Sequence, residues 1–363
     1  MGRKKIIFCI AFLLIVIFQT NSRRNNSEGL TLRTPDTIPI SSATTLNQVA
    51  TRPINSPTTI KKLTPSSKKI ADTKKIADTK IIEKLCNKKI VTVDLNLDQT
   101  PTAEADVILG TPGDDDISGL AGDDIICGGT GNDRIVGGDG NDIIFGENGN
   151  DVIIGGADDD ILSGGLGDDK IYGQGGIDIL QGQDGDDILY GGSGDDAING
   201  GNDIDTLIGG SGNDELDGEN GDDLLYGQDG SDLLVGGADD DTLSGSFGND
   251  ILRGESGDDK LYGGDDQDNL DGGDGKDIIH GQEDNDLING GPGDDTLNGG
   301  NGDDIIYGGL GDDAIAGING DDEMYGQEGD DVLNGGTGSD LFDGGGQVDD
   351  VFFKFDSAID RTD

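Results

Sequence analysis

From residue 110 onward, one position in every nine carries the apolar signal, and its neighbours are small or acidic. Between Gly110 and Asp343 the chain divides into 26 nine-residue units with no insertion or deletion. Two typical units are Gly128-Gly129-Thr130-Gly131-Asn132-Asp133-Arg134-Ile135-Val136 and Gly299-Gly300-Asn301-Gly302-Asp303-Asp304-Ile305-Ile306-Tyr307. The first six residues are dominated by Gly, Asp and Asn, which is turn chemistry. The last three centre on an Ile or Leu and suit a short strand. Position 8 is Ile or Leu in 24 units, with Met324 and Phe342 as the exceptions. It is predicted to point inward while positions 7 and 9 point out, because side chains alternate along a strand. Position 1 is Gly and position 6 is Asp in all 26 units. Position 4 is Gly in 21 units and Asp in five, at Asp158, Asp203, Asp239, Asp266 and Asp284. Asp tolerates a left-handed backbone, so the exceptions keep one geometry. Asp106 and Ile108 before the array, and Asp349 and Val351 after it, echo the same pattern.

The first hundred residues are patterned differently. Arg3, Lys4 and Lys5 precede an apolar run from Ile6 to Phe18, which predicts a signal peptide over residues 1–22. An uncleaved signal anchor is the alternative. Residues 23–89 are rich in Thr, Ser, Asn, Pro and Lys without apolar period, and predict a disordered basic linker. It carries the hexamer KIADTK in tandem over 69–80, read as a solvated spacer or as an attachment to an anionic surface. Val91, Val93, Leu95 and Leu97 alternate with polar residues, so residues 90–109 are expected to supply a cap strand and a degenerate repeat. Residues 344–363 are expected to hold a degenerate repeat and a C-terminal cap, with Phe342, Phe352, Phe353 and Phe355 over the end of the core.

The nonapeptide pattern GGxGxDxUx resembles the calcium-binding repeat of RTX (repeats-in-toxin) proteins, over about two thirds of the chain. The resemblance implies an all-β fold, a parallel β-roll or right-handed β-solenoid, preceded by the disordered linker. In that family six residues of each unit form a turn and three a strand, and two units make one coil. About 13 coils follow, a rod of roughly 60 Å at the usual strand spacing. Calcium ions are implied between successive turns of each edge, held by the position 6 carboxylates. On one edge these are Asp115, Asp133, Asp151, Asp169, Asp187, Asp205, Asp223, Asp241, Asp259, Asp277, Asp295, Asp313 and Asp331. On the other they are Asp124, Asp142, Asp160, Asp178, Asp196, Asp214, Asp232, Asp250, Asp268, Asp286, Asp304, Asp322 and Asp340. About twelve gaps per edge give about 24 Ca²⁺ at full occupancy, about two charges each.

Charge bears on this reading directly. The chain's net charge is −51, but residues 1–100 hold 17 Lys and Arg against 7 Asp and Glu. Residues 101–363 hold 7 against 68, a net of −61. Such a segment repels nucleic acid and anionic membranes, and its natural partners are cations. Stacked carboxylates about 5 Å apart repel by about 1–3 kcal/mol per pair. Ca²⁺ reverses that term because it accepts six to eight oxygens in flexible geometry.

The single His280 excludes sites that need two imidazoles, and three Cys exclude a disulfide scaffold or a four-Cys metal site. Neither HExxH nor GxSxG occurs, and unbroken register leaves no inserted loops to build a cleft. No catalytic residue is therefore assigned. All six Tyr fall at position 9, and the pairs Tyr172/Tyr190 and Tyr307/Tyr325 are 18 residues apart, so each pair is expected to be neighbours on one face. An ice-binding solenoid would call for a regular Thr or Asn file, and positions 3, 7 and 9 are irregular. The expected protein is a secreted, calcium-binding repeat rod with a structural, surface or adhesive role, touching cell-surface glycans or proteins. It meets a membrane only if the N-terminal segment stays attached. The alternative is the repeat part of a secreted hydrolase or toxin system.

Overall fold

One apolar residue per unit closes a core only if successive units stack. The computed structural model contains that stack and describes residues 93–95, 100–345 and 351–354. The expected signal segment, the linker with its KIADTK repeat, Val91, Leu97 and Phe355 lie outside the described residues. Strand β1 is Val93–Asp94, β2 Val107–Leu109, β3 Asp116–Ala121 and β4 Ile125–Thr130. A six-residue strand then begins every nine residues as far as β27, Val332–Thr337, followed by β28, Leu341–Asp343, and β29, Val351–Lys354. The even-numbered strands, with β1 at one end, form a 15-stranded sheet, and the odd-numbered strands from β3 to β29 form a 14-stranded sheet.

Within the repeats every pairing is parallel with an 18-residue offset. Ile117, Ile135 and Ile153 stack on one sheet, and Ile126, Ile144 and Leu162 on the other. The architecture is therefore the expected parallel β-solenoid of about 13 coils. Its interior is a double column of position 8 side chains, from Ile117 to Leu333, at most 2% exposed. Met324 fits the same column, and Phe342 packs against its end.

The strands are longer than the family resemblance implies. Each runs from position 7 through position 3 of the next unit rather than over three residues. The reason lies in positions 1 and 2. Position 1 lacks a side chain and faces inward, so the chain continues along the sheet after position 9. Position 2 then takes positive φ, as at Leu120 (80°), Glu147 (76°) and Ile318 (85°), and this left-handed residue bends the strand inside its own ladder. Position 4 behaves as its composition predicts, with the five Asp exceptions at φ between 69° and 80°.

At the N-terminal end, β1 pairs with β2 through Val93 and Ile108, and Val93 joins the core. At the other end, β29 pairs with β27 with a shift in register between Asn334 and Gly336. Buried Cys127 is disulfide-bonded, and its partner lies outside the described residues. That is one bridge, not a framework.

Candidate metal sites

Each position 6 Asp closes a turn immediately before a strand, and the fold turns its carboxylate inward. From Asp124 to Asp331 these residues are at most 4% exposed. One oxygen is fixed by the neighbouring coil. The backbone N–H of Asp115 donates to Oδ1 of Asp133 (2.8 Å), that of Asp133 to Asp151 (2.7 Å), and that of Asp124 to Asp142 (2.8 Å). The ladder continues to Asp313 and Asp331 (2.9 Å) on one edge and to Asp322 and Asp340 (3.3 Å) on the other. Both files predicted from sequence are thus assembled.

The second oxygen is what makes these positions unusual. From Asp124 through Asp322, Oδ2 is buried with no hydrogen-bond partner. It lies against the α-carbon of the position 1 Gly five residues upstream. A Cβ on Gly137 would collide with Asp142 Oδ2 and would stand 2.7 Å from the Gly155 carbonyl oxygen. The invariant Gly is therefore required by the carboxylate beside it.

Burial pushes these acids up. Asp160, Asp169, Asp205, Asp241, Asp250 and Asp286 are raised to about 8. Asp142, Asp151 and Asp178 are raised to about 6. Loss of water is the largest cause, partly offset by the backbone N–H bond; neighbouring carboxylates raise the values further. A buried oxygen without a donor, on an acid that resists ionising, needs either a proton or a cation.

The first turns differ. Asp115 is partly exposed, and Thr111 donates to it from both its backbone N–H (2.6 Å to Oδ2) and its hydroxyl (3.0 Å to Oδ1). Thr102 does the same for Asp106. These Thr side chains stand where a preceding coil would be, and the repeat consensus did not single them out. Position 5 forms a second ladder in the opposite direction: the N–H of Asn132 donates to Asp114 Oδ1 (2.8 Å), and that of Asn150 to Asn132 Oδ1 (3.0 Å). Asp and Asn dominate that position because either can accept.

The donor set fits a hard cation, since it offers oxygens only. No group of three or more His, Cys, Asp or Glu side chains converges on one point among the described residues. An ion at either edge would therefore combine the Asp files with backbone carbonyls, which suits Ca²⁺. Away from the edges, the outward faces carry the aromatic pairs. Tyr172 and Tyr190 stack with ring centroids 4.9 Å apart, Tyr307 and Tyr325 at 5.0 Å, and Tyr262 and His280 at 5.4 Å. The two Tyr pairs were expected from the 18-residue spacing; Tyr262 and His280 are also 18 residues apart, and their stack was not anticipated.

The family model for the RTX calcium-binding nonapeptide repeat matches successive segments spanning residues 101–351. Among solved structures, the chain is similar to that described as "X-ray crystal structure of a hyperactive, Ca2+-dependent, beta-helical antifreeze protein from an Antarctic bacterium". Identity is 25%, with a TM-score of 0.35, covering 65% of this chain and 80% of that one. No curated protein matches.

Proposed function

The chain belongs to the RTX calcium-binding nonapeptide-repeat family, and from that premise we propose that it is a secreted rod that folds on binding calcium outside the cell. The two files of buried, half-partnered carboxylates carry this reading. In water these acids would ionise freely; in the fold they are desolvated, so folding near neutral pH requires a compensating cation. At full occupancy about 24 Ca²⁺ would bring about +48 against the −61 of residues 101–363. The apolar column is only one side chain wide per unit, which leaves the metal as the deciding contribution.

Export follows from the same chemistry. Where free calcium is scarce, like-charge repulsion and the entropy of so many Gly keep the repeats expanded. In millimolar calcium, binding to the folded form alone stabilises it by RT ln(1 + [L]/Kd) at each site. The basic, apolar N-terminal segment supports a signal-directed route, and the rod would then serve a structural, surface or adhesive role. An ice-binding role is not proposed, because the outward files Tyr172, Tyr190, Ile208, Tyr226 and Ser244 contain no regular Thr or Asn series. A calcium titration of the full chain, followed by far-UV circular dichroism and hydrodynamic radius, tests the reading. A steep gain of β-structure with contraction is expected. A compact, β-rich chain in excess chelator that does not respond to calcium would refute it.

A further inference from the structure

The two outward faces of the solenoid are not equivalent. On the 15-stranded sheet, outward positions 7 and 9 include Glu215, Asp217, Asp271 and Glu323. On the 14-stranded sheet, the twelve strands from Arg134–Asp139 to Val332–Thr337 carry no Asp or Glu at positions 7 or 9. Their charged groups there are all cationic: Arg134, Lys170 and Lys260. Arg134 is paired with Asp116 at 3.1 Å. Lys170 and Lys260 are exposed and have no ion-pair partner among the described residues.

Both free lysines sit in the same setting. Lys170 shares a strand and a face with Tyr172, which stacks on Tyr190 of the next coil. Lys260 shares a strand and a face with Tyr262, which stacks on His280 of the next coil. The second cluster repeats the first at a spacing of 90 residues, or five coils of 18. Five coils place the two lysines about 24 Å apart on one sheet. Tyr226, 36% exposed, lies midway between the stacked pairs, two coils from Tyr190 and two from Tyr262.

We propose that this face, whose outward positions 7 and 9 carry no acid over those twelve strands, is a two-point docking surface for a carboxylated polysaccharide, with Lys170 and Lys260 each holding one sugar carboxylate beside its stacked aromatic pair. Charge complementarity selects an anion, because each cluster offers one unpaired ammonium and no acid at the outward positions 7 and 9; Asp265 and Glu283, on the strands of the second cluster, stand at position 3, beyond the bend at position 2. The ring pairs select a ligand with both apolar and hydroxyl surface, since Tyr presents an apolar body with a polar tip. At a Debye length of about 8 Å, clusters about 24 Å apart act as separate sites. A chain long enough to reach both gains from effective concentration. The proposal rests on the reading of the rod as calcium-assembled. Calcium would act twice, by building the face and by neutralising the acidic edges that flank it.

The test uses the full chain in calcium and hyaluronan oligosaccharides as carboxylated probes, with dextran oligosaccharides and phosphatidylglycerol vesicles as comparisons. Calorimetry is expected to show the hyaluronan decasaccharide binding about 100-fold more tightly than the tetrasaccharide, because only the former spans both clusters. Lys170→Gln or Lys260→Gln should each abolish that step while leaving tetrasaccharide affinity within about twofold, since one cluster remains. Lys170→Arg should retain the step. The calcium midpoint of folding, read by circular dichroism, should be the same for every variant, which separates failure of this surface from failure of calcium assembly. Absence of hyaluronan binding, equal binding of dextran or vesicles, or a length step indifferent to both lysines would overturn the proposal.

Discussion

Acid should substitute for calcium in folding this protein. The perturbation is removal of metal by ion exchange at pH 7.5, followed by acidification of the metal-free chain to pH 5. In the folded chain, Asp124, Asp196, Asp223 and Asp277 are raised from 3.8 to about 7, and six others reach about 8. A folded pKa above the unfolded one means the contribution to stability is complete below the unfolded value. It is lost as pH rises through the folded value. The window of loss therefore runs from about pH 4 to about pH 8. A shift of three units corresponds to about 4 kcal/mol per carboxyl at its upper limit. Four such groups already match or exceed the total stability of about 5–15 kcal/mol typical of a domain. The metal-free chain should thus be expanded at pH 7.5 and become compact and β-rich at pH 5, with calcium producing the same state at pH 7.5. Far-UV circular dichroism and hydrodynamic radius, measured across pH with and without calcium, provide the assay. A metal-free chain folded equally at pH 7.5 and pH 5, or one that stays expanded at pH 5, would refute the reasoning.

Four further outcomes follow from local geometry. Asp223→Ala deprives the Asp205 N–H of its acceptor at 2.7 Å. It should cost about 1–3 kcal/mol locally, with the loss of about two ions and faster amide exchange near Asp205 while distant coils stay protected. Gly182→Ala would push a Cβ into Asp187 Oδ2 and to 2.7 Å from the Gly200 carbonyl oxygen, whereas Gly113→Ala meets nothing within 4 Å. The first should raise the calcium midpoint and the second leave it unchanged, as read by titration. Ile318→Gly should stabilise by about 1 kcal/mol, because a β-branched residue at φ 85° is relieved of strain; thermal denaturation at fixed calcium measures it. Truncation after Gly335 removes β28, β29 and the packing of Phe342. It should raise the calcium needed for folding or provoke association, seen by light scattering.

Sequence periodicity made the apolar column and the Asp files legible because both depend on residue type at one fixed position. The nine-residue spacing, taken with the two-unit coil that the family resemblance implies, placed Ile135 under Ile117 and Asp133 beside Asp115. What escaped it depends on backbone conformation. Position 2 carries Gly in about half of the units and Gln, Glu, Ser, Thr, Leu or Ile in the rest. A mixed column gives no clear sign of the left-handed turn that every position 2 residue from Leu120 onward adopts. Strand length was missed for the same reason, since the bend at position 2 lies inside the strand. Thr102 and Thr111 were overlooked because each acts once, at an end, where a repeat consensus has nothing to average. The Cys127 bridge reaches a partner outside the repeat and has no periodic signature.

The alternation of successive units between two sheets imposes a parity rule on how this protein can vary. Gain or loss of one nine-residue unit would move every downstream outward side chain to the opposite face, while the apolar column and the Asp files would close as before. Gain or loss of two units lengthens or shortens the rod by about 4.8 Å and leaves both faces intact. Stability is therefore blind to parity, and only a face with a task can sense it. Lys170 and Lys260 stand ten units apart, an even number, and so share a face. Insertion of a single unit between them would leave a folded, calcium-loaded rod with one lysine on each side.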